Sequence, residues 1–350
     1  MEEKTFDPDG VGVATGSYFG LPFEPETAAL VLISAPWDVT VSYGAGTAYA
    51  PDAIIEASTQ LDFHEPLAPG LWRRGIATAD VDYTLQEQSQ RLRSDAERVI
   101  DHLEGGGSID DDYVVRKIRR VNEGCRAMNA NIESQASHWL DRRRIVGLVG
   151  GDHSTPYGLI RALGARHASF GILHVDAHRD LREAYEGFEY SHASIMYNVL
   201  RDVPQVSRLV QVGVRDFSAG EAARAAAEPR VVSFEDLELA GARFRGETWD
   251  AQCRRIVETL PGEVYVSFDI DGLSFDNCPH TGTPVCGGLS FNEAVWLLHT
   301  LVESGRRILG FDVVEVSSAA EERLDAITGA RILWKLCCLT LKSNESSNRK

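Results

Sequence analysis

Six stretches of the chain are short, apolar and rich in β-branched residues: "ALVLISA" (29–35), "IVGLVGG" (145–151), "SFGILHVDA" (169–177), "LVQVGV" (209–214), "VYVSFDID" (264–271) and "ILGFDVVEV" (308–316). A strand with one face in water alternates apolar and polar residues. These runs are nearly continuous, which predicts strands buried on both faces of a parallel sheet. Between them the apolar spacing changes to three or four. Val114, Ile118, Val121, Cys125, Met128, Ile132 and Trp139 fall on one face of a helix, with Arg116, Lys117, Arg119 and Arg120 largely off it. "FNEAVWLLHTLVESG" (291–305) predicts another helix, with Ser290 as its N-cap and Gly305 at its end. Alternating strands and helices predict an α/β protein of three layers, α/β/α, around one central, mainly parallel sheet. "EGGGS" (104–108) reads as a loop before the long helix and not as a domain boundary. The expected division is an N-terminal extension (1–28), a single α/β domain (29–340) and a polar tail (341–350).

The composition, 43% hydrophobic and 25% charged over 350 residues, is that of a soluble globular protein. A net charge of −17 speaks against nucleic-acid binding, which needs a basic face. No apolar run approaches the ~20 residues that span a membrane. The acidic start "MEEKTFDPDG" does not resemble a secretory signal, so a cytoplasmic location is expected. The six cysteines form no C-x-x-C pair and are expected to be reduced; for Cys278 and Cys286, which flank a loop of interest, simple packing is the expectation.

The unusual polar residues stand at the ends of three of the apolar runs. One run is followed by Asp152 and His153, one by Asp176, His178 and Asp180, and one finishes in Asp269 and Asp271. Residues at i and i+2 of a strand share a face, and ligands of open α/β sheets bind at the carboxyl ends of the strands. Convergent carboxylates repel one another and lose hydration, so something positive belongs among them: a metal, a basic substrate or a salt-bridge network. Taken singly, each cluster also has an ordinary reading, such as Asp152 capping a helix. Together, His153, Asp176, His178, Asp180, Asp269 and Asp271 offer two imidazoles, four carboxylates and no thiolate. That set suits Mn²⁺, with Ni²⁺, Fe²⁺, Co²⁺ or Zn²⁺ as alternatives, and excludes a thiol-rich structural zinc site. Four carboxylates balance two divalent ions, as in two-metal centres that bridge a hydroxide.

"GGDHS", "DAHRD" and "SFDIDGL…TGTPVCGGLS" resemble the three signature motifs of the ureohydrolase (arginase/agmatinase) family, and "YGAGTAYAPDAI" (43–54) is similar to its N-terminal glycine loop. The resemblance runs from about residue 29 to 340. It implies an arginase-like fold, a binuclear manganese centre (nickel as the alternative), hydrolysis of a small guanidino substrate to urea and an amine, and a homotrimer or homohexamer. It also implies roles. Asp176 and Asp269 would bridge both ions, His153 and Asp180 would complete one site, and His178 and Asp271 the other. Asp180 would in addition hold the attacking hydroxide. His192, in "YSHAS", would shuttle a proton to the leaving amine. Glu315, in "FDVVEV", would pair with the substrate guanidinium; a glutamate ending an apolar strand is costly without such a bidentate partner.

The chain departs from the family pattern in places. Ser274-Phe275 stand where Asp-Pro is usual, and Ala193 where Gly is common. The segment 181–191 lacks the Ser/Asn pattern by which arginases hold a substrate carboxylate, and carries Glu183, Glu186 and Glu189 instead. A substrate without a carboxylate is therefore expected. Agmatine comes first, or free guanidine if Phe188, Tyr190, Met196 and Tyr197 shorten the pocket and do not merely pack; arginase or guanidino-acid activity is the alternative. Two other classes compete. Against a catalytically silent family member stand all six ligand residues, and against a deacetylase-type amide hydrolase stand the full ligand set and Glu315.

Overall fold

The computed structural model describes residues 6–317 and 323–345. Each of the six apolar runs forms a strand, and two short strands join them: β1 (Leu30–Ala35), β2 (Ile76–Thr78), β3 (Ile145–Gly150), β4 (Phe170–Val175), β5 (Val206–Val212), β6 (Val231–Phe234), β7 (Glu263–Asp269) and β8 (Arg307–Val314). They make one sheet in the order β2-β1-β3-β8-β7-β4-β5-β6, with every pairing parallel. The two strands not expected from the sequence, β2 and β6, are the sheet's edges. An edge strand pairs on one side only, and three or four residues carry too little pattern to stand out.

The helices are α1 (Ala50–Ser58), α2 (Tyr83–Glu104), α3 (Asp112–Asp141), α4 (Tyr157–Gly164), α5 (Ile195–Asp202), α6 (Ala219–Ala227), α7 (Asp236–Phe244), α8 (Trp249–Glu258), α9 (Phe291–Glu303) and α10 (Leu324–Ser343). Two apolar cores lie on opposite faces of the sheet. Along β1 the side chains alternate between them: Leu30 and Leu32 join α1, α8, α9 and α10, whereas Val31, Ile33 and Ala35 join α2, α3, α4 and α5. This is the expected three-layer arrangement. The α3 stripe is buried as its spacing predicts, apart from a half-buried Ile118. Ser290 caps α9 in a reciprocal box with Glu293, and Gly305, at φ 81°, follows its end. Ahead of β1, Tyr18 and Phe19 are buried, the latter against Trp334. Of the expected polar tail, residues 346–350 lie outside the described residues. Among those described, no helix is long and apolar enough to cross a membrane. The six cysteines are unpaired, and only Cys286 is exposed.

The strand order decides where chemistry can occur. The chain passes from β3 to β4, and later inserts β7 and β8 between them. β3, β8, β7 and β4 therefore lie side by side in the middle of the sheet, and their carboxyl ends form one crevice.

Candidate metal centre and cleft

Each central strand delivers polar groups into that crevice. His153 follows β3, Glu315 follows β8, Asp269 closes β7 with Asp271 just beyond, and Asp176, His178 and Asp180 follow β4. Nδ1 of the buried His153 faces three carboxylates: Asp176 Oδ2 at 3.0 Å, Asp180 Oδ2 at 3.1 Å and Asp269 Oδ2 at 3.1 Å. Nδ1 of His178 lies 3.1 Å from Asp271 Oδ2 and 3.5 Å from the other oxygen of Asp176, Oδ1. Two donor groups thus meet back to back on one carboxylate. Asp152 stands apart. It accepts from the backbone of Ser154 at 3.0 Å, a local turn, and lies outside both groups.

The backbone is bent to reach this arrangement. Asp180 (φ 54°) and Glu315 (φ 59°) occupy the left-handed region that non-glycine residues avoid. At Asp180 the bend lets its carbonyl accept from the first amides of α5, Met196 and Tyr197, each at 3.1 Å. At Glu315, Oε1 accepts from His153 N at 2.8 Å, while Oε2 is buried with no hydrogen-bond partner among the described residues. Gly282 packs closely beside it, since a Cβ there would stand 3.2 Å from Oε2.

The electrostatics demand positive charge. Burial together with Asp271 and Asp176 pushes the Asp269 carboxyl well above the usual carboxylate range. Burial and Asp176 raise Asp180 to about 6. Burial alone would lower His153, but Asp176, Asp180 and Asp269 outweigh it and hold the imidazole well above an ordinary histidine. The site therefore gathers protons wherever no other cation is present. Buried atoms without partners show where a cation would go. Among the described residues, His153 Nδ1 and Asp271 Oδ2 lie close to opposite charges but make no contact with hydrogen-bond geometry. His153 Nε2 lies 2.9 Å from Ser267 Oγ, an arrangement that leaves Nδ1 its lone pair when Nε2 donates. The donor set and these orphaned atoms fit two divalent ions sharing Asp176.

A cleft of about 540 Å³ opens over His178 and Asp180. His192 lines it, buried, with its backbone N–H on Thr40 Oγ1 at 3.3 Å and its Nδ1 3.1 Å from the Thr40 carbonyl. A carbonyl only accepts, so Nδ1 carries the proton and Nε2 keeps a lone pair. Burial, helped by His178, pushes the imidazole down to about 4, which keeps it neutral near neutral pH. The rest of the lining includes Tyr43, Arg182, Tyr185, Asp216, Phe217 and Glu221.

Other expected cleft residues lie elsewhere. Phe188 and Met196 are fully buried in the core between the sheet and α3–α5, and Tyr190 packs against it. Tyr197 sits under Arg201 and Arg224. Glu183 faces Arg224 at 3.7 Å and Glu189 faces Arg126 at 3.3 Å. Glu186 is half-buried outside the lining, and its carboxyl is raised by burial to about 7. The acids that do line the cleft, besides Asp180, are Asp216 and Glu221, reached after β5 and in α6. Asp216 was legible as a charge just past the "LVQVGV" run, whereas Glu221 carries no local signal because it also serves as a helix cap. Ser274 and Phe275 open a short 3₁₀ turn, with Asp269 and Asp271 in place beside it.

The arginase family model matches residues 28–338. The chain is 30% identical over 311 residues to the N(1)-aminopropylagmatine ureohydrolase of Thermococcus kodakarensis, covering 89% of this chain and 90% of that one. It is 29% identical over 324 residues to the agmatinase of Neisseria meningitidis, covering 91% and 89%. Its fold is similar to that of the agmatine ureohydrolase of Thermoplasma volcanium, with a TM-score of 0.67, 22% identity and 94% of each chain covered.

Proposed function

The chain belongs to the arginase family, and on that premise we propose that it is a metal-dependent amidinohydrolase that cleaves a guanidino C–N bond and releases urea, acting on an agmatine-like substrate without a carboxylate. One observation carries the reading: Oε2 of Glu315 is buried without a partner among the described residues, at the end of the strand next to those that carry the carboxylate cluster, where a planar cation would satisfy it. His153, Asp176, Asp180 and Asp269 would hold one ion, and His178, Asp271 and the same bridging Asp176 and Asp269 the other. Mn²⁺ suits this donor set best and Ni²⁺ is the alternative. When bound, the two ions lower the pKa of water, so that hydroxide is available near neutral pH.

The protein groups act around that nucleophile. Glu315 takes the guanidinium by Oε2 and fixes its carbon over the cluster. Burial and the neighbouring Asp152 otherwise hold the Glu315 carboxyl well above its usual range, so the substrate's charge restores the ionised form. Asp180, at the cleft floor, accepts the nucleophile's hydrogen bond and orients it. His192, neutral with a free Nε2, takes up a proton and delivers it to the departing amine. At the far wall Asp216 has no side-chain partner among the described residues, while Arg182 is engaged by Glu221 at 3.5 Å. A distal ammonium suits that wall better than a carboxylate does.

Urea release should be compared on agmatine, N(1)-aminopropylagmatine, guanidine, 4-guanidinobutyrate and arginine, with Mn²⁺ or Ni²⁺ added. An ammonium-bearing compound is expected to lead. A clear lead for either carboxylate-bearing compound would overturn the substrate reading, and no urea from any of them would overturn the activity. Elemental analysis should give about two divalent ions per chain. Metal affinity should also rise from pH 6 to pH 8. His153 and His178 bind protons tightly in the metal-free cluster, and these protons must leave as the ions enter. Calorimetric titration in buffers of different ionisation enthalpy reads that release; an affinity independent of pH would contradict the ligand assignment.

A further inference from the structure

We infer that His174 is a positioning residue for the metal centre: its Nε2–H holds Oδ2 of Asp176 toward His153, and it is not itself a ligand. This rests on the metal-centre reading above. His174 lies two residues before Asp176 on β4, fully buried, with Nε2 2.7 Å from Asp176 Oδ2. By position alone it is a third histidine for the cluster. Its place beside His153, Asp176 and Asp180 even satisfies the distances of a ligand group. What decides its role is which ring nitrogen carries the proton.

The neighbouring strand answers that question. In the β4–β5 register His174 stands opposite Gln211. The Gln211 amide nitrogen donates to the Arg179 carbonyl at 2.8 Å, a group that only accepts. The amide oxygen accepts from the Arg179 guanidinium at 3.4 Å, a group that only donates, and from Ser233 Oγ at 3.3 Å. The orientation of the Gln211 amide is thus set from both ends. Its nitrogen, 3.1 Å from His174 Nδ1, must donate there as well. Nδ1 therefore holds a lone pair, and Nε2 carries the proton that Asp176 receives. A nitrogen bearing a proton cannot ligate a metal. The contrast with His153 and His178 is consistent, since both of those turn Nδ1 toward the carboxylates.

The consequence is directional. His174 and His153 both approach Oδ2 of Asp176, whereas His178 approaches Oδ1. A donor on Oδ2 fixes the rotation of the carboxylate and leaves one defined lone pair for the ion on the His153 side. Losing the donor should weaken that ion more than the one on the His178 side.

The test uses the full chain, stripped with EDTA and titrated with Mn²⁺ by calorimetry, in wild type, His174→Leu, His174→Gln and Gln211→Glu. The glutamine amide nitrogen falls close to where the imidazole Nε2 lies. Gln211→Glu replaces the donor to Nδ1 by an acceptor, so that Nε2 is no longer the one nitrogen that must carry the proton. His174→Leu is expected to lose about ten- to a hundredfold in affinity for one of two ions, the range typical of groups that orient ligands. His174→Gln should recover most of that loss, and Gln211→Glu, which leaves Nε2–H in place once the ring takes up a second proton, should lose less than His174→Leu. Thermal midpoints in EDTA report folding separately. Wild-type titration by His174→Leu would overturn the inference. So would a His174→Gln variant as impaired as His174→Leu at equal metal-free stability, because the role would then be packing or ligation. If His174→Leu does not fold, a His174→Gln variant that folds but loses about a hundredfold or more relative to wild type overturns it instead. A wild-type chain that takes up no Mn²⁺ would mark the failure of the metal-centre reading itself.

Discussion

Asp269→Asn is expected to remove both metal ions and to reduce urea release by more than about a hundredfold, beyond the ten- to hundredfold typical of losing a group behind the ligands. Asp269 Oδ2 stands 3.1 Å from His153 Nδ1, and Oδ1 accepts from the Asp271 backbone N–H at 2.8 Å, so both oxygens of the carboxylate are engaged at the cluster. Asparagine preserves the shape but removes the charge, and places either a neutral oxygen or a pair of N–H donors where the cations belong. Asp271→Asn alters only the His178 side and should leave one ion bound. Elemental analysis of both variants separates these outcomes. Two ions retained by Asp269→Asn would refute its bridging role. The same substitution should raise the thermal midpoint in EDTA, because it relieves the crowding by Asp271 and Asp176 that drives the Asp269 carboxyl to hold its proton. A lowered midpoint would show that the native carboxylate is satisfied without metal.

Glu315→Gln is expected to keep both ions and lose nearly all turnover. The substitution preserves volume, and the Oε1 contact to His153 N can persist through the amide oxygen. The charge opposite the guanidinium is lost. A hydrogen bond to a charged partner contributes about 1.5–3 kcal/mol, and misplacing the reacting carbon adds to that loss. Steady-state kinetics with metal content measured on the same sample checks this. Wild-type efficiency in a fully metallated variant would make Glu315 a structural residue. Gly282→Ala gives a companion result from the opposite wall. Its Cβ would stand 3.2 Å from Oε2 and from the Gly44 carbonyl and would press on the Glu315 carboxylate, so KM should rise while metal content stays unchanged.

Much of the architecture was legible because burial on two faces leaves an unmistakable mark. β1, β3, β4, β7 and β8 are continuous apolar runs for that reason, and the polar residues that end them stand out by contrast. β2 and β6 were not legible, since edge strands carry little burial. The substrate wall was legible only in part. The segment 181–191 invited a reading from its three glutamates, yet Glu183 and Glu189 pair outward with arginines from α6 and α3. Glu221, which does line the cleft, belongs to a capping box that looks purely local.

The sequence by itself determined the donor types, the strand ends that carry them and their shared faces, because a strand's period of two leaves little freedom over which side chains rise together. Strand order was beyond its reach. Only the insertion of β8 beside β3 brings Glu315 within 2.8 Å of the His153 amide, across 162 residues of chain. The sequence also could not sort the histidines of "HVDAHRD". His174 and His178 both alternate with Asp176, and nothing in that stretch distinguishes a ligand from a hydrogen-bond donor. The difference arises across the sheet, where register sets Gln211 opposite His174 and a backbone carbonyl orients its amide. A proton's position on an imidazole depends on the partner of the far nitrogen, and for His174 that partner comes from another strand.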